Sequence, residues 1–322
     1  MTVYLEHFGL RDAPFRLTPH PDFFFDGARR GATLEALQYA VLHEEGIVKV
    51  SGEVGSGKTM LCRVLLDRLP PTVDALYIAN PTLSPEALLH TVAEELGCPP
   101  QPIAEARIRP IQDALISRHA AGRRVVALVD EAHAMPKPSL EQIRLLSNLE
   151  TGQHKLLQIV LVGQPELDEL LGGSDMRQLK DRITHHFRLD PMRPEETADY
   201  LRFRLHAAGY RGPDLFAPTA VRAIARASGG LTRRINVLAD KALLAAYCQG
   251  GHAIGPKIVA TAIRDAHYTA TRDWRPWLAT GLAIAGLTGA IWWNLHRPPA
   301  GLPAPPPGAP TPPATAPAGP NG

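Results

Sequence analysis

Eight consecutive residues constrain this chain more than anything else in it: Gly52-Glu53-Val54-Gly55-Ser56-Gly57-Lys58-Thr59 satisfies the pattern G-x-x-x-x-G-K-[ST]. Glycines let the backbone wrap tightly enough for successive N–H groups to converge on one point, which makes a nest for an anion. The nest needs a strand feeding into it and a helix leaving it, because the helix N-terminus adds partial positive charge. Both flanks are present. Ile47 to Val50 is a short β-branched run, and Met60 to Leu69 carries a helical pattern. A loop built this way grips the phosphates of ATP. Lys58 is long enough to reach the β- and γ-phosphates, and the Thr59 hydroxyl can serve Mg²⁺. With Gly at ~7% of residues and comparable values for the other positions, a chance match in such a chain is on the order of one in a hundred. Gly52 to Thr59, with Met60 in the first helical turn, are therefore the candidate nucleotide contacts.

A second element supplies carboxylates. Val125 to Val129 reads as a buried strand and ends in Asp130-Glu131, at the end of a sheet where α/β folds place ligands. Asp130 suits Mg²⁺ binding through the water shell, and Glu131 suits orienting and polarising an attacking water. A surface turn after a strand is the alternative. The string Asp130-Glu131-Ala132-His133 also occurs in some helicases, but no second RecA-like unit accompanies it. Ala75 to Ala79 and Leu156 to Val162 are further strand candidates, alternating with amphipathic helices. Ser84 followed by Pro85 and Glu86 starts one helix, and Ser139 with Gln142 predicts a capping box for another. The rhythm is that of a parallel α/β sheet with flanking helices. From Pro194 the strand signal stops. Helical stretches near Glu195 to Ala208, Pro218 to Ala227, Arg233 to Cys248 and Pro256 to His267 predict a helical lid.

Length matters next, since 322 residues exceed one typical domain. The expected division is a leading segment 1–30, a nucleotide-binding core 31–191, a lid 192–270, a membrane span 277–295 and a Pro-rich tail 296–322. The span, Trp277 to Leu295, carries no charge, and nineteen residues at ~1.5 Å each match a hydrocarbon core of ~30 Å. Trp274, Trp277, Trp292 and Trp293 flank it as interfacial aromatics do. Arg272 and Arg275 precede it, with only Arg297 close behind, which predicts a single-pass inner-membrane protein with its N-terminal part in the cytoplasm. A buried core helix is the competing reading. Residues 298–322 of that tail, without charged side chains, cannot build a core and are expected to be disordered. A net charge of +2, a pI near 8.5 and the lack of any basic block argue against nucleic acid as a partner. Cys62, Cys98 and Cys248 lack zinc spacing and suit a reducing compartment.

Four stretches together, Gly52 to Thr59, Asp130-Glu131, Leu156-Leu-Gln-Ile-Val-Leu-Val-Gly-Gln-Pro-Glu-Leu167 and Gly229-Gly-Leu-Thr-Arg-Arg-Ile-Asn236, resemble the ExeA/GspA group of AAA+ ATPases. The opening Phe8-Gly-Leu-Arg-Asp-Ala-Pro-Phe15 is most similar to members of that group that serve the MSHA type IV pilus. The resemblance covers roughly Tyr4 to His267 and implies an AAA+ P-loop NTPase core hydrolysing ATP with Mg²⁺. It further implies that Gln164 is the sensor of the γ-phosphate, where a bare polar strand end is the alternative. It makes Arg182 an arginine finger reaching the neighbouring subunit, with Arg177 the competing candidate and a solvated Arg the bland reading of either. Arg233 becomes the lid arginine, with Arg234 next in line. A finger acting in trans implies a homo-oligomeric ring, for which a hexamer is one closed form. Pilus or secretion assembly proteins at the inner membrane are the implied partners. In place of the group's folded peptidoglycan-binding domain the chain carries only residues 298–322. DNA-binding regulatory ATPases of the transposition-helper kind, similar in their core, are the second functional class. Phe23, Phe24 and Phe25 either wall an adenine or pack a core, and packing is favoured. His185 and His186 have no ligand spacing.

Overall fold

Five short strands pair into one parallel sheet in the computed structural model, which describes residues 3–80, 82–99 and 108–267. In chain order the elements are α1 (Arg30–His43), β1 (Ile47–Gly52), α2 (Lys58–Arg68), β2 (Val73–Ile78), α3 (Pro85–Glu95), α4 (Ile108–Ala120), β3 (Arg124–Val129), α5 (Lys137–Leu146), β4 (Leu157–Gly163), α6 (Glu166–Leu171), α7 (Arg177–Lys180), β5 (Ile183–Leu189), α8 (Pro194–Ala207), α9 (Pro218–Ser228), α10 (Thr232–Cys248) and α11 (Pro256–Asp265). The strand order is β2-β3-β4-β1-β5, every pair parallel. Every residue of β1 and β4 is buried, as strands covered on both faces must be, and this is why they read as largely apolar runs, interrupted only by the buried polar residues Lys49, Ser51 and Gln158.

Each face of the sheet has its own core. On one face Ile159, Leu161 and Val129 pack with Leu88 of α3, Ile111 and Leu115 of α4 and Leu140 of α5. On the other, Val48, Val50, Val160 and Leu128 pack with Leu34 and Leu37 of α1 and Leu61 and Leu65 of α2. Each such side chain contributes about 1.5 to 3 kcal/mol on burial. The strand β5 has no counterpart in the apolar runs of the sequence. It lies at the sheet edge, and the polar residues Thr184, His186 and Arg188 are exposed along it, which suits an edge that must not recruit further strands.

Local signals succeed in one place and fail in another. Ser84 caps α3, its Oγ accepting from the Ala87 amide at 3.2 Å, with Pro85 in the first turn. The capping box expected at Ser139 and Gln142 is absent. The prolines at 136 and 138 set the start of α5 earlier, at Lys137, so Ser139 lies inside the helix, buried, and its Oγ donates to the Leu83 carbonyl at 2.6 Å.

Helices α8 to α11 enclose a third core that includes Leu201, Leu205, Ile224, Ile235, Leu238 and Val259. The segment before residue 30 belongs to that core. Tyr4, Phe8, Leu10, Phe15 and Phe23 are buried in it, the Tyr4 hydroxyl donates to Asp240, and the Arg11 amide donates to the Ala208 carbonyl at 2.8 Å. The described residues all fall within one compact unit spanning 1–271. Among them no helix is long and apolar enough to cross a membrane. The span expected at 277–295 and the tail at 296–322 lie outside the described residues.

Gly230 fixes how the helical layer meets the end of the sheet. Its φ is +75°, the Met192 amide donates to its carbonyl at 2.9 Å, and a Cβ there would sit 2.1 Å from the Met192 carbonyl oxygen. Gly230→Ala is expected to cost about 2 to 4 kcal/mol through strain and clash. A thermal melt should fall by several degrees, and an unchanged midpoint would mean that the 192 and 230 segments separate freely.

Candidate nucleotide site

The loop from Gly52 to Thr59 is held by partners for its carbonyl groups. Gly55 and Gly57 lie at φ +77° and +104°, a region closed to most side chains. The Lys58 ammonium donates back to the carbonyls of Gly52 at 2.8 Å and Glu53 at 3.1 Å, so its charge is held inside the turn. The Gly55 carbonyl accepts from Thr232 Oγ1 at 2.6 Å and from the Arg233 amide at 3.0 Å. The Ser56 carbonyl accepts from Arg30 Nη2 at 3.2 Å. With those acceptors satisfied, the unpaired amides at the start of α2 are the donors a phosphate can use. Gly55 is glycine for a second reason, because a Cβ there would meet the Arg233 Cβ at 2.7 Å. The first turn of α10 thus rests directly on the loop.

The strand order explains the rest of the site. Because β4 lies between β1 and β3, its C-terminal end stands between the loop and the acidic pair. Asp130 is buried, and its Oδ2 accepts from Thr59 Oγ1 at 3.3 Å and from the Tyr77 hydroxyl at 3.0 Å, while its Oδ1 accepts from the Glu131 amide at 2.9 Å. Glu131 has φ +54°, a costly conformation for a non-glycine that turns the chain sharply at the end of β3. Gln164 Nε2 donates to Glu131 Oε2 at 3.2 Å, and His133 Nε2 lies 3.6 Å from the same oxygen. Burial pulls the Lys58 pKa below its ordinary value, with Glu131 and then Asp130 pulling it back up. Burial, reinforced by Asp130, pushes the Tyr77 phenol up, so it remains a neutral donor, and burial likewise keeps Cys62 a thiol.

Lys58, Thr59, Glu131 and Gln164 face a cavity of about 480 Å³, within the range of small-molecule sites. Val54, Gly55, Gly57, Lys58, Thr59, Met60, Glu131, Gln164 and Arg233 line one end of it. Gly52, Glu53, Ser56 and Asp130 are not in the lining, though Asp130 touches Thr59. Phe23, Phe24, Phe25, Tyr200 and Asn236 also line it, so the three phenylalanines contribute to the wall as well as to packing, Phe23 and Phe25 in the helical core and Phe24 against the sheet. Arg204, also in the lining, is largely buried, its guanidinium 4.7 Å from the centre of the Phe23 ring and donating to the carbonyls of Pro14 and Arg16 and to the Tyr200 hydroxyl. Arg182 does not reach the cavity; it precedes β5, and its carbonyl accepts from the Ile47 amide at the opposite end of the sheet. Sequence reasoning missed Tyr77, Arg30 and Tyr200, none of which stands in a motif, and Thr232, which lies in the stretch Gly229 to Asn236 but was given no role there. The Thr59 hydroxyl and the Asp130 carboxylate form a hard oxygen pair, which fits Mg²⁺, an ion held by one or two carboxylates together with substrate phosphates.

A helical layer folded back onto a P-loop, over a sheet that interposes one strand between the loop and an acidic strand end, is the arrangement of AAA nucleotide-binding ATPases. Residues 41–171 match the family described as AAA domain (AAA_22). The fold is similar to the Aeropyrum pernix ORC2 protein in its ADPNP–ADP complexes, with a TM-score of 0.57 at 18% identity over 77% of this chain and 72% of that one. It is also similar to Cdc6p from Pyrobaculum aerophilum, with a TM-score of 0.60 at 17% identity over 78% and 70%. At these identities the likeness concerns the fold. In sequence the chain is 41% identical over 299 residues to general secretion pathway protein A of Aeromonas hydrophila, covering 91% of this chain and 54% of that protein. The chain belongs to the ExeA/GspA-type AAA ATPases, and it spans about half the length of this curated relative.

The contact between α10 and the loop has a measurable consequence. Thr232→Val removes one of the two hydrogen bonds on the Gly55 carbonyl, worth about 1 kcal/mol. Equilibrium nucleotide binding should weaken about fivefold, and Thr232→Ser should restore it. Equal affinities in all three proteins would show that the contact does not shape the loop.

Proposed function

We propose that this chain is a ring-forming, membrane-anchored ATPase that hydrolyses ATP to support assembly of a type IV pilus of the MSHA kind or a related secretion system. The observation that carries the hydrolytic reading is the Glu131–Gln164 pair facing one cavity with Lys58 and Thr59. Lys58 and the amides opening α2 hold the phosphate chain. Glu131, tethered through Oε2, keeps Oε1 to take a proton from the attacking water. Gln164, bonded to that carboxylate, ties its position to the γ-phosphate end of the cavity. Bound at Thr59 and Asp130, Mg²⁺ would neutralise charge on the phosphate oxygens. Arg233, in the first turn of α10, adds a positive group from the helical side.

Arg182 stands a whole strand length, roughly 20 Å at ~3.3 Å per residue, from the cavity end of β5. Such an arginine can act only on a neighbouring subunit's nucleotide, which favours head-to-tail contacts and closure into a ring. Arg177, exposed at the start of α7, is the other candidate for the same task. The client class is suggested by the secretion protein named above and by the likeness of Phe8 to Phe15 to MshM of the MSHA pilus. The anchor rests on the uncharged run from Trp277 to Leu295.

Glu131→Gln is expected to bind ATP and turn it over at least ~10²-fold more slowly, and Arg182→Ala to lose ~10³-fold or more. Mixing the two inactive proteins should recover part of the turnover, since some interfaces then pair an intact Glu131 with an intact Arg182. No recovery at any ratio would remove the trans arginine. The parent's rate per subunit should rise with protein concentration and ignore duplex DNA; strong DNA stimulation would favour the DNA-regulatory class instead. For the anchor, cell fractionation decides: a chain lacking 277–322 should leave the membrane pellet, and its retention there would refute the span.

A further inference from the structure

Arg30 is a cation in the wrong place for a structural residue. It is 6% exposed, it lines the nucleotide cavity, and among the described residues the one hydrogen bond of its guanidinium is the Nη2 contact to the Ser56 carbonyl. Among the described residues no carboxylate lies within ion-pair distance of it. The acid that influences it, Glu196, is bonded to Arg193 at 2.9 Å. Tyr200 also faces it but carries no charge. Burial accordingly draws the Arg30 pKa below its ordinary value. A buried charge without a partner is costly, and structures keep one only where something supplies the missing countercharge.

Arg204 shows what a structural arginine in the same pocket looks like. Its Nε, Nη1 and Nη2 all donate within the fold, and the Phe23 and Tyr200 rings lie against its guanidinium. Arg30 has no such set, and the backbone that aims it is strained. Ala28 and Arg29, the two residues before it, both lie at positive φ, +52° and +61°, without being glycine. The turn is packed tightly as well, since a Cβ on Gly31 would sit 2.9 Å from the Asp26 carbonyl. Strain of this kind persists where it positions a functional group.

We infer that Arg30 is a nucleotide-contacting residue: anchored to the P-loop through the Ser56 carbonyl, it turns its remaining donors on the bound nucleoside polyphosphate and takes its countercharge from it. The inference rests on the reading of this cavity as the ATP site. It has a signature that a mere brace for Ser56 lacks, because an uncompensated buried charge weakens the empty protein and pays off only when ligand arrives.

The test uses the full chain and its Arg30→Met, Arg30→Lys and Lys58→Ala variants, with melting midpoints taken without nucleotide and affinities for ATP and ADP measured at equilibrium. For Arg30→Met the midpoint without nucleotide should stay level or rise, and both affinities should fall ~10-fold or more, as for a lost charge-assisted bond. Arg30→Lys, which keeps the charge and loses the fork, should fall between Met and the parent. Affinities within twofold of the parent for both variants overturn the assignment. So does a midpoint several degrees lower in Arg30→Met that Lys restores, because Arg30 is then a brace. Should Lys58→Ala bind ATP as tightly as the parent, the cavity is not the ATP site and both readings fall; a loss there with none at Arg30 removes only this inference.

Discussion

A loop that surrounds an anion with its amides must find acceptors' partners on its other side. Here that requirement is met from three directions: Lys58 within the loop, Arg30 at the start of α1, and Thr232 with the Arg233 amide at the start of α10. The loop is therefore not a self-contained motif. Its geometry depends on a residue 26 positions before Ser56 and on a hydroxyl 177 positions after Gly55. The close approach of α10 is possible only because Gly55 has no side chain, so one glycine serves both the backbone conformation of the loop and the seating of the helical layer.

The second constraint is strand order. Had β3 been the neighbour of β1, Asp130 and Glu131 would follow directly beside the loop with no strand end between them. With β4 interposed, Gln164 emerges between loop and carboxylates, and Glu131 can be tethered while Asp130 stays close to Thr59. The same parallel arrangement sends the start of β5 to the far end of the sheet. Arg182 is thus separated from its own cavity by the fold itself rather than by a flexible choice of rotamer.

Much of the core was legible in sequence because burial on both faces writes nearly continuous apolar runs, as in Val125 to Val129 and, broken only by Lys49, in Ile47 to Val50. The chemistry was legible where glycines, Lys58, Thr59 and the Asp130-Glu131 pair stand at fixed spacing. Three things were not. The edge strand β5 carries Thr184, His185, His186 and Arg188, so neither apolar run nor clean alternation marks it. The start of α5 was misplaced because Ser139 and Gln142 match a cap pattern that Pro136 and Pro138 override. Arg30, Tyr77 and Thr232 enter the site through contacts across 26 to 177 residues, and no local pattern encodes a partner that far away.

The walls of the cavity belong to two different cores, and this bears on how it can respond to a ligand. Phe23 and Phe25 pack with the helical layer, together with Tyr4, Phe8 and Phe15, whereas α1 packs with the sheet through Leu34 and Leu37. The chain crosses from one core to the other within a few residues, and Ala28 and Arg29, at positive φ, sit in that crossing. If the helical layer shifts, Phe23 and Phe25 must travel with it, because they share one core, while Phe24 and Arg30 stay with the sheet and the loop. The bonds that resist such a shift next to the phosphates are those from Thr232 and Arg233 to Gly55. A ligand spanning the cavity would touch both bodies at once, so its binding energy can be spent on holding them together, and loss of a phosphate changes how strongly the two remain joined.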